Sequence, residues 1–597
     1  MNNPDRIDRN PKQPNMADES GLALLPSSSR RKFLGNVGGG AAIALATGAA
    51  GLTSLLEAES VAAVAEGNGP EGRQQRINNA RQLRFDAARQ MASVGIPDQP
   101  SNGDEERYPN KIGNYSKGLR HNAIGEVDPA AYAALISAID SGKFADFEAL
   151  ATNGHLGSGD PTRQRRQVSP MSGYAFDLEG LDSHQFSMRA APAFSSPEEA
   201  GEMVELYWMS MLRDVNFLDY ETHPLARLAT EDLSRLSDFR GPKQGNRVTP
   251  QTLFRDNFPG CAVGPYVSQF LLKNCPFGAQ LVDQRIRTAA PGTDFMTDFQ
   301  SWLDIQNGIQ PTQKVQLDEP RFCLNGRDIG QYVHVDALYQ AYLVAGLVLL
   351  GNGMPWDRNN PYGQSPEPGS GLPLPPGVPG SLAQVGFTTF GGPHLLALLT
   401  EVSTRAAKAQ WFQKWLVHRR LRPEEFGGRV EVVRSNLAQY PIHSDLFRSQ
   451  ALDQLLSKFG SHLLPMAFPE GSPLHTSYGS GHSTVAGACV TVLKAWFDES
   501  AIIPNPVVPN SDGSGLIPYE GPDLTVGGEL NKIASNIAQA RNIAGVHWRS
   551  DATEAIKLGE AVAISVLREQ NPTHREPFQG FTLTKLDGTL ITIRETD

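Results

Sequence analysis

The sequence predicts an all-α protein: a large helical chain built on helix bundles, closed by a small C-terminal β-hairpin. Three observations carry this. Apolar residues recur at helical spacing in long segments spread over most of the 597 residues. Strand signals are confined to the tail, where FTLTKL and TLITI flank Asp587-Gly588, a hairpin turn pair. No fixed-period repeat points to a solenoid or propeller.

The elements follow in order. Residues 1–65 read as a twin-arginine signal region. Ser29-Arg30-Arg31-Lys32-Phe33-Leu34 precedes a mild, Gly/Ala-rich run over 35–56, and Ala63-Val64-Ala65 offers a cleavage site. That implies export of a folded protein from a bacterial cell, to the periplasm or beyond. The run is too glycine-rich for a membrane anchor, so no stable membrane insertion of the mature chain is expected. Residues 66–350 form an N-terminal helical body, with helical patterns over 73–91, 128–150, 197–218, 293–305 and 330–350. Trp208, Met209, Met211 and Leu212 read there as a core stripe. Residues 351–380, with PEPGSGLPLPPGVPG, cannot be helix interior or central strand and form a loop. Residues 381–570 form a second bundle. It comprises a long amphipathic helix over 394–421 stopped by Pro423, a helix over 482–497 and one over 528–569. Residues 571–597 are the tail.

A formal charge of -11 excludes a global basic footprint for nucleic acid. A structural divalent cation fits so acidic a chain, but no EF-hand-like loop is present. The four cysteines show no zinc spacing. Export would allow a Cys261–Cys275 disulfide, although the intervening GPYVSQFLL reads as helical and would hold the two apart. Cys489 reads as a core residue.

Against this acidic background four short segments concentrate groups suited to an oxyanion. Lys414 supplies a point charge and Arg422 a planar fork for two oxygens. Ser480 and Gly481 open a helix, where a hydroxyl and a close-approaching amide favour an anion. Arg541 and His547 lie in one helical run, and Asp551, four residues beyond His547, can accept its Nδ1–H and leave Nε2 free. Loop His475 and helix-start His482 are acid–base candidates, the pKa of His475 falling in the useful range. Arg549 reads as a surface or ion-paired residue. The set wants a compact, multiply charged anion: phosphate or vanadate.

In this order KWLVHRRLRP, SYGSGHSTVAGACV and ARNIAGVHWRSD resemble the signature of the vanadium-dependent haloperoxidases. That family shares its core with the type 2 phosphatidic acid phosphatases. The likeness is greatest to the bromoperoxidases of algae and cyanobacteria. YSKGLRHNAIGEVD, GPYVSQFLL and FGGPHLLALLTEVSTRAAKAQ extend it over most of residues 105–570.

The resemblance implies vanadate as cofactor, hydrogen peroxide and a halide (bromide above all) as substrates, and hypohalous acid that halogenates an organic acceptor. It implies His547 as axial vanadium ligand through Nε2. Lys414, Arg422 and Arg541 would hold the equatorial oxygens, with hydrogen bonds from Ser480 and the Gly481 amide. His482 would bond the apical oxygen and activate peroxide, Lys414 would polarise it, and His475 would assist proton transfer or halide handling. Trp411, one turn from Lys414, is the halide-pocket candidate. Family members vary there, some carrying Trp and the red-algal enzymes Arg. A homo-oligomer, at least a dimer, is implied too.

Two other readings use the same residues. In an exported acid phosphatase, His547 would form a phosphohistidine and His482 would protonate the leaving group. In a non-catalytic oxyanion-binding protein the cations would serve capture alone. His475 and the seven-residue gap between Lys414 and Arg422 speak for the peroxidase.

Overall fold

The computed structural model describes residues 70–363, 381 and 383–594. The signal region and most of the 351–380 loop lie outside them. The chain divides into two units, Met1–Ala80 and Arg81–Asp597. Of the first, the described residues 70–80 are helical.

The described residues form sixteen α-helices. They are α1 (Pro70–Ser93), α2 (Asp104–Arg107), α3 (Pro129–Ser141), α4 (Phe144–Thr152), α5 (Pro197–Met211), α6 (Pro224–Arg235), α7 (Phe299–Gln306) and α8 (Gly326–Val335). There follow α9 (Gln340–Gly351), α10 (Gly392–Phe412), α11 (Pro423–Arg434), α12 (Ser444–Phe447), α13 (Gln450–Phe459), α14 (Gly481–Trp496), α15 (Val526–Ile543) and α16 (Arg549–Gln570). Their boundaries follow capping chemistry. Asp128 caps α3 by accepting the Ala131 amide at 2.9 Å, with Pro129 in the first turn and Gly142 left-handed at the end. Ser196 and Thr525 cap α5 and α15 in the same way.

Strands are short and pair two by two, each pair antiparallel. They are β1 (Cys275–Phe277) with β2 (Gln280–Val282), and β3 (Ile286–Ala289) with β4 (Leu317–Arg321). After these come β5 (Val507–Pro509) with β6 (Leu516–Pro518), and β7 (Phe581–Thr584) with β8 (Leu590–Ile593). The last pair is the expected tail hairpin.

Helix α14 is buried along most of its length, and α10, α15 and α16 pack on it. Small residues let α14 and α16 approach closely. A Cβ on Gly487 would lie 1.9 Å from the Ile556 carbonyl oxygen, and one on Gly559 would lie 1.9 Å from that of Thr484. Gly487→Ala is therefore expected to cost about 1–3 kcal/mol or more by overpacking, measured as a lower urea midpoint. The predicted core stripe of α5 is buried, and one continuous core runs from Ile112 to Ile593, uniting residues before and after the 351–380 loop. Among the described residues no single helix is long and apolar enough to cross a membrane.

Several elements differ from the sequence expectation. The 128–150 segment is two helices, split where Gly142 turns left-handed. The 330–350 run is α8 and α9, bent by 102°. The 197–218 pattern ends its α-helix at Met211, and the 293–305 pattern is helical only as α7. GPYVSQFLL holds only a 3₁₀ turn, Gln269–Leu271. Strands β1 to β6 were not expected, because strands of three to five residues carry too little periodicity to be recognised without a turn pair such as Asp587-Gly588 between them. Cys261, Cys275, Cys323 and Cys489 are all free and buried.

Candidate functional site

The long helix expected over 394–421 stops as an α-helix at Phe412 and continues as a π turn, Gln413–His418. The chain then reverses at Arg419, whose φ is 38°. Pro423 does not terminate this helix; it occupies the first turn of α11, with Arg422 immediately before it. The break lets Lys414 and Arg422 converge from different elements. The Lys414 ammonium is buried and donates to the carbonyls of Thr476 and Ser477 at 2.8 and 2.9 Å.

The helix expected over 528–569 is likewise broken. Helix α15 ends at Ile543, Gly545 turns left-handed (φ 87°), and α16 starts at Arg549. Arg541 therefore lies in the last turn of one helix, whereas His547 sits in the corner before the next. Asp551, in the first turn of α16, accepts from His547 Nδ1 at 2.8 Å and from Ser477 Oγ at 2.5 Å.

Arg422 ties the segments together. It donates to the carbonyls of His475 and Val546, each at 2.8 Å. It also approaches His475 Nδ1 and His547 Nε2, each at 3.0 Å. With Asp551 accepting from Nδ1–H and a guanidinium N–H directed at Nε2, these partners assign the neutral His547 tautomer whose lone pair is on Nε2.

Ser480 caps α14 by accepting from Ser483 N at 3.3 Å, leaving its own hydroxyl proton to donate elsewhere, and Gly481 is the first helical residue. A Cβ at Gly481 would come within 2.9 Å of Trp411. His475, Gly481, His482, Arg541 and His547 line a cavity of about 310 Å³, together with Trp411. Lys414, Arg422 and Ser480 are buried behind them. The Trp411 ring lies 4.9 Å from that of His475 and 5.8 Å from the Lys414 ammonium.

The electrostatics favour an anion. Burial, then Arg422, hold Lys414 well below the ordinary lysine value, with Asp551 opposing. Burial lowers Arg422, and burial draws Arg541 down to about 10. Cations that depress one another in a dry site are all relieved by a shared negative ligand. His547 also lies well below the imidazole range, through burial and then Arg422. His475 does not sit in the near-neutral range expected from sequence. Burial, then Lys414 and Arg422, keep it well below.

Sequence reasoning missed two carboxylate systems. Asp336, just beyond α8, lines the cavity and accepts from His482 Nε2 at 3.0 Å. It lies 146 residues from its partner, so no local pattern announces it. Behind the site Arg420 donates to Asp551 at 2.9 Å and to Glu202 at 3.0 Å, and also bonds Glu199. Arg549, read as a surface residue, is buried and paired with Glu205 and Asp256. Among the described residues no group of three or more His, Cys, Asp or Glu side chains is arranged to hold a metal ion.

Residues 395–574 match the family model described as VCPO second helical-bundle domain. The chain is also 35% identical to the vanadium-dependent bromoperoxidase of Corallina pilulifera, over 87% of this chain and 99% of that one. It belongs to the vanadium-dependent bromoperoxidase family. The bromoperoxidase of Ascophyllum nodosum is 32% identical over 82% of this chain and 87% of its own. A solved homohexameric bromoperoxidase from Ascophyllum nodosum superimposes with a TM-score of 0.79 at 29% identity, over 91% of this chain and 96% of that one.

The residues present fit the anion this family name carries. They comprise a lone-pair nitrogen at His547, three buried cations, a hydroxyl, and a helix-start amide whose cradle a side chain would fill.

Proposed function

We propose that this pocket binds vanadate and that the protein oxidises bromide with hydrogen peroxide, releasing hypobromous acid to an organic acceptor. The observation that carries the reading is the His547 ring, held with Nδ1 2.8 Å from the Asp551 carboxylate and Nε2 3.0 Å from Arg422, in a cavity that Arg541 also lines. Vanadate, when bound, supplies Lewis acidity toward peroxide.

The chain's own groups do the rest. Lys414, Arg422 and Arg541 hold the anion and offset its charge, and the Ser480 hydroxyl and Gly481 amide donate to it. Asp336 keeps the Nε2 proton of His482 in place, so the other ring nitrogen can accept a proton from incoming peroxide. Oxidation of bromide to hypobromous acid consumes one proton and releases water. In this reading His475, whose ring lies 4.9 Å from that of Trp411, delivers that proton. A bound anion raises its pKa by the Coulomb argument that lowers it beside cations alone. Trp411 walls the halide side of the cavity.

The test is bromide-dependent bromination of a phenolic dye by the purified protein after addition of orthovanadate and peroxide. Turnover of p-nitrophenyl phosphate without bromination would replace this reading with the phosphatase one. Tight phosphate binding with neither activity would leave a capture protein. His475→Ala is expected to retain vanadate, measured by equilibrium dialysis, while bromination falls by about 10²-fold or more, the usual worth of a positioned proton donor. Unchanged bromination in that variant would remove His475 from the mechanism.

The same reading includes export through the residue 29–34 motif, checked by fractionating cells that express Arg30→Lys/Arg31→Lys. It also includes self-association to at least a dimer, checked by light scattering. Support for the latter is the homohexameric relative.

A further inference from the structure

A second cavity, of about 530 Å³, adjoins the first, and the two share Arg165, His334 and Glu470 as lining residues. The shared wall is tied down. Glu470 accepts from His334 Nε2 at 2.7 Å, its carbonyl accepts from Arg165 at 2.8 Å, and the His334 ring stacks on Phe468 at 3.8 Å. Beyond the wall the outer cavity has a mixed character. Val315, Leu317 and Val335 give it an apolar side, with Val335 74% and Leu317 39% exposed. Arg165 and Lys314 give it two cations. Its lining carboxylate, Glu470, is engaged by His334; Asp318 and Glu319 follow Leu317 in the chain but do not line the cavity. The inner cavity is crowded with the anion-binding groups. The outer one is large enough for an aromatic molecule and lies next to where hypobromous acid forms.

We propose that the outer cavity is the acceptor site, and that it takes an aromatic substrate bearing an anionic group, such as a phenolic carboxylate. The proposal rests on the bromoperoxidase reading above. The ring lies against Val315, Leu317 and Val335, and the anionic group faces Arg165 and Lys314. Hypobromous acid leaving the inner cavity meets the ring there. A ring carbon gives its π pair to bromine as the O–Br bond breaks onto oxygen. The hydroxide so formed takes the ring proton and departs as water. Product selectivity is then set by the protein, not by free reagent in solution.

The test is a competition at limiting peroxide between para-hydroxybenzoate and neutral phenol, using the full chain loaded with orthovanadate. The product ratio is compared with that from hypobromous acid added to the same buffer. The enzyme is expected to favour the anionic phenol by at least about threefold over the free reagent, the scale of one exposed ion pair. Lys314→Glu is expected to abolish that preference. Leu317→Asp should raise the KM for both phenols. Both variants should keep bromide-dependent peroxide consumption without an acceptor, since neither residue lines the inner cavity. A wild-type ratio equal to that of free hypobromous acid would overturn the proposal and leave the bromoperoxidase reading intact. A ratio unmoved by Lys314→Glu would do the same. Absence of bromide-dependent peroxide consumption in the wild type would overturn both.

Discussion

His547→Ala is expected to weaken vanadate binding by more than about 100-fold, exceeding the loss typical of altering a ligand's outer partner, and to abolish bromination. Equilibrium dialysis with orthovanadate and the dye assay report the two separately. The expectation follows from the geometry of one ring. Asp551 accepts a hydrogen bond from Nδ1–H at 2.8 Å, and an Arg422 N–H approaches Nε2 at 3.0 Å, so the basic lone pair of that imidazole is on the Arg422 side of the ring. Arginine and lysine side chains supply charge without a coordinating atom. Alanine therefore removes the bond but leaves the electrostatic attraction, and residual weak, salt-sensitive anion binding is expected. Full retention of vanadate by His547→Ala would move the ligand role elsewhere. The contrast with His475→Ala, which should keep the anion and lose turnover, separates holding the cofactor from using it.

Arg420→Leu should produce the largest loss of stability, about 3–5 kcal/mol, as expected when one partner of a buried ion pair is removed. Arg420 is 1% exposed and bonds three carboxylates, Glu199, Glu202 and Asp551. Leucine would strand all three in a dry interior. The readout is the urea midpoint. Adding Glu199→Gln and Glu202→Gln to the variant should recover much of the loss, because neutral amides need no counter-ion. Failure of that rescue would show that the Arg420 effect lies in packing.

The cluster also carries a pH signature. Burial pushes Glu202 up to about 7 from the ordinary 4.5, with Arg420 opposing. Its folded pKa exceeds the unfolded one, so the folded state holds more protons between those values. Its contribution is full below about pH 4.5 and is lost as pH rises through about 7. Arg420→Leu should therefore be more destabilising at pH 8 than at pH 5, and Glu202→Gln should flatten the fall in stability across that interval.

The local chemistry of the site was legible where it depends on neighbours in the chain. Ser480-Gly481 announces a helix start and its free amide. Asp551 four residues after His547 announces a second partner for the imidazole. What periodicity could not reveal is where helices stop. The runs 394–421 and 528–569 look continuous because their apolar spacing persists through the breaks at Gln413–His418 and Ala544–Trp548. Burial on several sides of those segments keeps them apolar whether or not the helix continues. Short strands such as β1 and β2 escaped for a related reason: they pair at the surface and need no alternating face.

By itself the sequence determined the helical class, the tail hairpin, and the order of cations, hydroxyl, amide and imidazoles that specifies an oxyanion. Those follow from residue type and from spacings of a few residues, over which the backbone has little freedom. The tertiary structure alone decided that Asp336 meets His482, that Arg420 holds Asp551 in place from behind, and that a second cavity shares a wall with the first. Each of these joins residues more than a hundred positions apart. Such contacts are set by how whole helices pack, and no local pattern of residues encodes them.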